Sequence, residues 1–338
     1  MNPVEALREI GYLLERVRSD THRVKAYRNA ADTVARLTES ERRDHQQHRT
    51  WAQVPGIGPK TALVITQAMA GQVPDYLRQL QEEKQPLTEG GASIRSLVRG
   101  DLHCHSTWSD GGSPLEEMMI SAQRLGHEYC AITDHSPRLK VARGLSADRL
   151  REQMQVVRDL NEVMAPFRVL QGIEVDILED GDLDQEPDLL DELDVVVASV
   201  HSKLRSDSES MTHRMVAAIA NPRTNILGHC TGRLIEGERG VRPESVFDAE
   251  VVFEACRTFG VAVEINSRPE RRDPPSRLIT LAAEMGCLFS IDTDAHAPGQ
   301  LEFQIYGCER FEATGLDPDR IINTWPVDRL LQWCKPGA

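Results

Sequence analysis

The sequence predicts an α/β fold of parallel strands alternating with helices, preceded by a small all-helical domain. Three observations predict it. Apolar residues recur at helical spacing through the first part of the chain. From residue 100 onward, short β-branched runs alternate with helical segments. Seven such runs can be counted, spaced roughly 25 to 40 residues apart, and repeated strand–helix units imply parallel strands. A closed β/α (TIM-like) barrel is one way to seal them, with seven units in place of the common eight.

In chain order, Val4, Leu7, Ile10 (or Gly11) and Leu14 form one helical stripe, and Ala26, Ala30, Ala31, Val34 and Leu37 a second. Residues 41–48 are polar, a loop or a solvated helix end. The turn VPGIGPK at 54–60 precedes a helical run over 61–70. Residues 1–88 make the helical domain, and 89–99, following Pro86 and containing Gly90 and Gly91, read as a linker. Residues 100–338 form the second domain. Its strands are expected at 101–105, 129–135, 168–177, 194–201, 225–229, 261–266 and 288–296, with helices such as 115–125, 147–164 and 247–259 between them.

The net charge of −14 is unevenly placed: the first 90 residues hold 13 Lys/Arg against 12 Asp/Glu, and the remainder 26 against 41. An acidic second domain repels nucleic acid at long range, so metal ions or local basic groups must offset that field for a polyanionic substrate. No apolar run is long enough to span a membrane, and the opening residues do not read as a signal peptide. Seven singly scattered cysteines argue against a disulfide framework. A reducing cytoplasm is the expected setting.

The chemistry lies in where His and carboxylate residues fall. The first strand run ends in His103-Cys104-His105, with Asp110 just beyond. The second ends in Asp134-His135, the third carries Glu174, the fourth ends at His201, the fifth at His229, and the seventh in Asp294-Ala295-His296. Six of the eleven histidines thus lie at strand ends, where β/α barrels build their sites. A lone His there is ordinary, but this many donors at one rim would suffer mutual desolvation and repulsion unless cations relieved it. His103 and His105 share a strand face, as do Asp294 and His296. Cys104 between them should face away. The donors exceed what one tetrahedral zinc can use, and the mixed set suits two or three divalent ions, Zn, Mn or Fe. Such clusters activate water and clamp phosphoryl oxygens. With no convincing nucleophilic triad in the sequence, the expected nucleophile is metal-bound hydroxide.

At these residues the chain resembles the polymerase and histidinol phosphatase (PHP) superfamily. The motifs are DLHCHSTWSDG, AITDHS, GIEVDI, SVHSK, ILGHCTGRL, AVEINSRP and DTDAH. The resemblance implies a distorted seven-stranded barrel with three metals: His103, His105, Glu174 and Asp294 on one, Glu174, His201 and His229 on the second, Asp110, His135 and His296 on the third. Cys230 departs from the Pro that relatives commonly place after the His. DHSPRLKVARGLS, HCTGRLIEGERG and EINSRPERRD resemble the PHP domain attached to bacterial family X DNA polymerases. Arg138, Lys140, Arg143, Lys203, Arg205, Arg233 and Arg271 are each ordinary surface charges alone, and together the candidates for gripping substrate phosphate.

The turn at 54–60 could be a plain helix–helix connection, or a place where backbone N–H groups meet a phosphate. With HRVKAYRNAA at 22–31, it resembles the helix-hairpin-helix N-terminal domain of family X polymerases. That resemblance implies contacts from His22, Arg23, Tyr27 and Lys60 to a 5′-phosphate or the DNA backbone, with Gly56 and Gly58 in a turn that holds DNA through its phosphates without reading sequence. The family's lyase Lys corresponds to Val64, which puts lyase activity in doubt, and the short span before the barrel leaves no room for a polymerase palm. The reading is therefore a metal-dependent phosphoesterase acting on DNA as a 3′–5′ exonuclease or 3′-end processing enzyme in repair. The alternatives are a small-molecule phosphatase of the histidinol-phosphate type, or a DNA-binding accessory protein with a structural barrel.

Overall fold

Amphipathic stretches of fourteen and sixteen residues with capped starts dictate the first unit, Met1–Pro86, in the computed structural model, which describes residues 1–237 and 240–335. Helix Pro3–Arg16 starts at Asn2, whose side chain accepts from the Val4 amide, and Thr21–Arg36 starts at Asp20, which accepts from His22 and Arg23. Val4, Leu7, Ile10 and Leu14 are buried as their spacing requires. On the second helix the buried stripe is Tyr27, Ala30, Ala31 and Val34, while Ala26 is exposed and Leu37 half-buried. The true period starts one residue later than the alanines suggest.

The polar stretch 41–48 belongs to a regular helix, Glu39–His48. It buries no residue, so it leaves no apolar stripe. Its start is held by a capping box between Thr38 and Glu41. Helices Pro59–Met69 and Asp75–Glu82 complete the unit, with Trp51, Ile57, Val64, Ile65 and Leu77 in its core. Each fully buried Leu or Ile contributes about 1.5–3 kcal/mol.

The second unit, Leu87–Ala338, holds seven parallel strands: β1 (Gly100–Asp101), β2 (Tyr129–Ile132), β3 (Arg168–Asp176), β4 (Val195–Ser199), β5 (Ile226–Leu227), β6 (Ala262–Asn266) and β7 (Phe289–Asp292). They pair in chain order, β1 to β7. Period-2 alternation splits their side chains between two cores. Tyr129, Ala131, Val195, Val197 and Ile226 face a cluster plugged by Ile322, Trp325 and Leu330. Val196, Ala198 and Leu227 face the surrounding helices.

The barrel's last seam, β7 to β1, is closed mainly by carboxylates. Leu102 N donates to Asp292 Oδ1 at 2.9 Å, Thr293 N to Asp101 Oδ1 at 3.3 Å, and Thr293 Oγ1 to Asp101 Oδ2 at 2.5 Å. A single bridge, Cys104 to Ala295, completes the closure. Ladder geometry therefore stops short of His103, His105, Asp294 and His296, and Asp294 adopts a left-handed φ of 51°. Residues 294 to 296 are thus not extended strand, yet the two side chains still meet, with His296 Nδ1 3.5 Å from Asp294 Oδ1.

Residues 89–99, expected as a linker, are packed into the second unit. Gly91 N donates to Glu312 Oε2 at 2.6 Å, a short helix covers Ala92–Arg95, and Ile94 and Val98 lie in the core. Residues Glu238 and Arg239 of the HCTGRLIEGERG run, and 336–338 of the second domain, lie outside the described residues.

Candidate metal centre

All nine donors read from strand ends lie on the side of the barrel where strand carboxyl ends point. Glu174 sits within β3, and the others lie in the segments just beyond β1, β2, β4, β5 and β7. Five imidazoles close a loop around Glu174. Successive ring centroids are 5.2 Å apart for His103–His105, 4.4 Å for His105–His135, 5.2 Å for His135–His201, 5.3 Å for His201–His229 and 6.0 Å for His229–His103. His296 lies 4.3 Å from His105. Glu174 Oε1 is 2.8 Å from His229 Nε2 and 3.2 Å from His201 Nε2. Its Oε2 is 2.8 Å from His135 Nδ1 and 3.4 Å from His103 Nε2. Asp294 Oδ1 lies 3.3 Å from His105 Nε2, and Asp110 Oδ1 lies 3.4 Å from His296 Nε2 and 3.5 Å from His135 Nε2.

Several of these atoms crowd together without bonding one another. His103 Nε2, His105 Nε2, His135 Nδ1, His201 Nε2 and Glu174 Oε2 are buried and lack hydrogen-bond partners. Burying so many polar atoms unpaired is costly, and lone pairs converging from several sides on a common space are what a cation needs. Donor chemistry fits too, since imidazole with carboxylate suits divalent transition ions. Three groupings could each hold an ion: His103, His105 and Asp294; His135, Glu174 and His201; and His105, Asp110, His135 and His296. His105 and His135 each belong to two of them, so neighbouring ions would share this rim. The first and last groupings overlap the sets implied by resemblance. In the second, His135 stands where His229 was expected, although His229 also touches Glu174.

Electrostatics follow from this packing. Burial opposes charge on Glu174, yet His201, His103 and His135 hold its carboxylate well below the ordinary range. Burial likewise opposes charge on Asp294, and Arg268, His105 and Arg271 outweigh it. Burial, with His296 and His135 nearby, pushes His105 down to about 3. Burial also disfavours a charged His103, but Glu264 and Glu174 on its two sides raise it well above normal. The carboxylates of Glu174 and Asp294 stay ionised here, as ion-holding groups must.

Sequence reading missed the groups behind the donors. Glu264 Oε1 accepts from His103 Nδ1 at 2.6 Å, and its Oε2 accepts from His229 N at 2.5 Å. Asn266 Nδ2 donates to Asp294 Oδ2 at 3.1 Å. Both lie on β6, two apart and fully buried. An ionisable residue inside the apolar run AVEIN was the available signal. Asp176 Oδ1 accepts from His201 N at 3.1 Å, and Arg268 Nη1 is 3.2 Å from His296 Nδ1. Asp134 accepts from Ser106 N and Oγ and from Gln153, pinning the loop that carries Asp110. Gly144 lets the 134–146 loop close, since a Cβ there would lie 1.8 Å from Ser136 O.

The basic candidates divide. Arg138, Lys140, Arg143, Lys203 and Arg205 are exposed. Arg271 is not: it is buried, and its Nε donates to Asp294 Oδ2 at 3.1 Å, so it holds a donor in place. Arg233 Nε donates to Arg271 O at 3.0 Å, and the side chain also faces Glu244. The bend of the strand-end loops turns both arginines inward, which sequence alone does not reveal. Cys104 faces away as expected, its Sγ buried 3.7 Å from that of Cys130, and Cys230 is buried beside Asp273.

In the first unit, Gly56 has φ 87°, a backbone that suits glycine, and Gly58 N donates to Thr61 Oγ1 at the start of helix Pro59–Met69. Gly58 itself faces open space. Lys60 and His22 are exposed. Arg23 donates to the Tyr76 hydroxyl and lies over its ring at 5.3 Å. Tyr27 is 4% exposed and stacked on Tyr76, so little of its ring is open to a ligand. Val64 is core, with no amine and no access.

A family model described as a PHP domain matches residues 101–283, and one described as a helix-hairpin-helix domain matches residues 2–73. A DNA polymerase/3′-5′ exonuclease PolX from Bacillus subtilis is 39% identical over 225 residues, which is 66% of this chain and 39% of that protein. The chain thus spans well under half the length of that relative. A "probable phosphatase" from Escherichia coli is 28% identical over 247 residues, 70% of this chain and 93% of that one. The crystal structure of a histidinol phosphate phosphatase from Lactococcus lactis covers 65% of this chain and 95% of its own, at 17% identity and a TM-score of 0.49. The first unit ends at Pro86 and the second begins at Leu87, so no polymerase palm lies between them. With its seven-stranded barrel, its rim of imidazoles and carboxylates and the match over 101–283, the chain belongs to the PHP family of metal-dependent phosphoesterases.

Proposed function

We propose that this phosphoesterase acts on DNA, removing or trimming nucleotides at a 3′ end, and that His103, His105, Asp110, His135, Glu174, His201, His229, Asp294 and His296 hold its ions. One observation carries the DNA reading: a helix-hairpin-helix match over residues 2–73 precedes the metal-binding barrel in the same chain. Identity to a polymerase that is also named a 3′-5′ exonuclease supports the same choice. When bound, divalent ions polarise the phosphoryl group and supply a nucleophile at neutral pH.

The chain's own residues do the rest. Glu174 stays ionised and offers an oxygen to each side of the rim. Glu264 and Asn266 fix the orientation of His103, His229 and Asp294, so the donors need no reorganisation on binding. Exposed Arg138, Lys140, Arg143, Lys203 and Arg205 are available to meet substrate phosphate and offset the acidic field of the domain. Lys60 and the turn at Gly56–Gly58 would meet the backbone of the same DNA.

A second reading, a small-molecule phosphomonoesterase, is favoured by alignment with a "probable phosphatase" over 93% of its length. Purified protein loaded with Mn²⁺ should be offered 3′-labelled single-stranded, gapped and 3′-phosphate DNA beside histidinol phosphate. Shortening or 3′-dephosphorylation of the DNA is expected, and His103→Ala with His105→Ala should abolish it. Intact DNA beside efficient hydrolysis of histidinol phosphate would transfer the assignment to the second reading.

A further inference from the structure

We propose that a groove between the loop following β5 and the start of helix Ser276–Glu284 seats the DNA strand behind its reacting end, taking one or two nucleotides by their bases; this rests on the DNA reading above. The groove has a volume of about 690 Å³ and is lined by Arg233, Ile235, Val241, Val246, Phe247 and Arg277 among others. Its place follows from topology. Residues 228–248 join β5 to helix Ala249–Phe259, and 267–275 join β6 to helix Ser276–Glu284. Both loops therefore lie at the carboxyl ends of the strands, the face that carries the metal centre. His229 opens the first loop. Arg233 links groove to centre, since it bonds to the Arg271 carbonyl and Arg271 bonds to Asp294.

The lining has two parts. Val241 is 77% exposed, Val246 64% and Ile235 39%. Single exposed aliphatic residues are ordinary, but three around one groove beside a reacting centre mark a contact surface. A phosphate has no use for them, whereas the faces of nucleobases do. Around them stand Arg233, Arg242 and Arg277, which face Glu244 or the Gly232 carbonyl. Among the described residues that line the groove, these three guanidinium groups stand with one carboxylate, Glu244, in a chain whose net charge is −14. Local positive charge with an apolar floor matches a single strand, whose charge runs along one edge and whose bases turn the other way. Contacts of this sort act on the substrate away from the bond that breaks, so they govern a polymer and not a small ester.

The test uses the metal-loaded full chain and two substrates, a 3′-labelled single-stranded oligonucleotide and bis(p-nitrophenyl) phosphate. One variant carries Val241→Ser with Val246→Ser, and a second carries Arg277→Gln. All three positions are surface positions, so the fold should hold, and the small ester reports it. Expected is a KM for the oligonucleotide raised about tenfold in the double variant, as for the loss of apolar contact with a base, with kcat/KM on the small ester unchanged. An unmoved oligonucleotide KM, or both substrates falling together, would overturn the groove alone. Wild-type protein that hydrolyses the small ester but leaves the oligonucleotide intact would overturn the DNA reading and the groove with it, without any variant.

Discussion

Nδ1 of His103 donates to Oε1 of Glu264 across 2.6 Å, with both side chains wholly buried. That bond leaves Nε2 of His103 as the nitrogen that faces Glu174. The other Glu264 oxygen takes the His229 amide, so one carboxylate from β6 aligns donors from the ends of β1 and β5. Glu264→Ala should weaken metal affinity by roughly 10–100-fold, the usual cost of losing such a support. Glu264→Gln should fall between, because an amide has one acceptor oxygen for two donors. Competition titration against a chromophoric chelator measures it. Wild-type affinity in a folded Glu264→Ala protein would show that the rim holds its shape unaided.

Asp110 differs from the other donors in standing open, its side chain 28% exposed where Glu174 is 1% and Asp294 3%. It completes only the grouping with His105, His135 and His296. Asp110→Asn should therefore lower metal content without emptying the pocket around Glu174, while Glu174→Gln should empty most of it. Elemental analysis after gel filtration distinguishes the two. Equal losses from both variants would mean that the ions bind only as a set.

The donors were legible in the sequence because barrel topology brings strand ends to one rim whatever the loops do. His103, His201 and His229 could be placed from that rule alone. Glu264, Asn266 and Arg268 could not, because they act through other side chains and leave no ligand spacing to read. Arg271 reads in the sequence as an outward charge, since only the loop's path decides that it turns in to Asp294. Helix Glu39–His48 left no apolar stripe because it buries nothing, although Thr38 and Glu41 spelled out its cap. The seam of the barrel was hidden for another reason: Asp101 and Asp292 replace ladder bonds with side-chain ones, which no strand period records.

Metal removal should act on one unit only. The first unit has its own core and holds none of the nine donors, while the second holds them all. An ion bound only by the folded form stabilises it by roughly 4 kcal/mol at a thousand times its Kd. Calorimetry of the intact chain with and without chelator should show one transition moving to lower temperature and another staying in place. Movement of both by the same amount would mean that the chain unfolds as a single block.

Lys60 is exposed at the start of helix Pro59–Met69, two residues after Gly58 and four after Gly56 with its φ of 87°. If this turn grips the DNA backbone, Lys60→Ala removes a phosphate contact and nothing else. Binding should then weaken evenly across sequences, and the slope of log affinity against log salt should become shallower by about one. Gly56→Ala acts differently, straining the backbone by about 1–2 kcal/mol, so it should lower the melting temperature of the first unit as well as its affinity. Fluorescence anisotropy with two unrelated oligonucleotides at several salt concentrations reads the first effect, and calorimetry the second. Hydrolysis of bis(p-nitrophenyl) phosphate by Lys60→Ala should match wild type, because the barrel holds the donors. An unchanged salt slope would leave the turn as a plain connection between helices and would take away the observation that carries the DNA assignment.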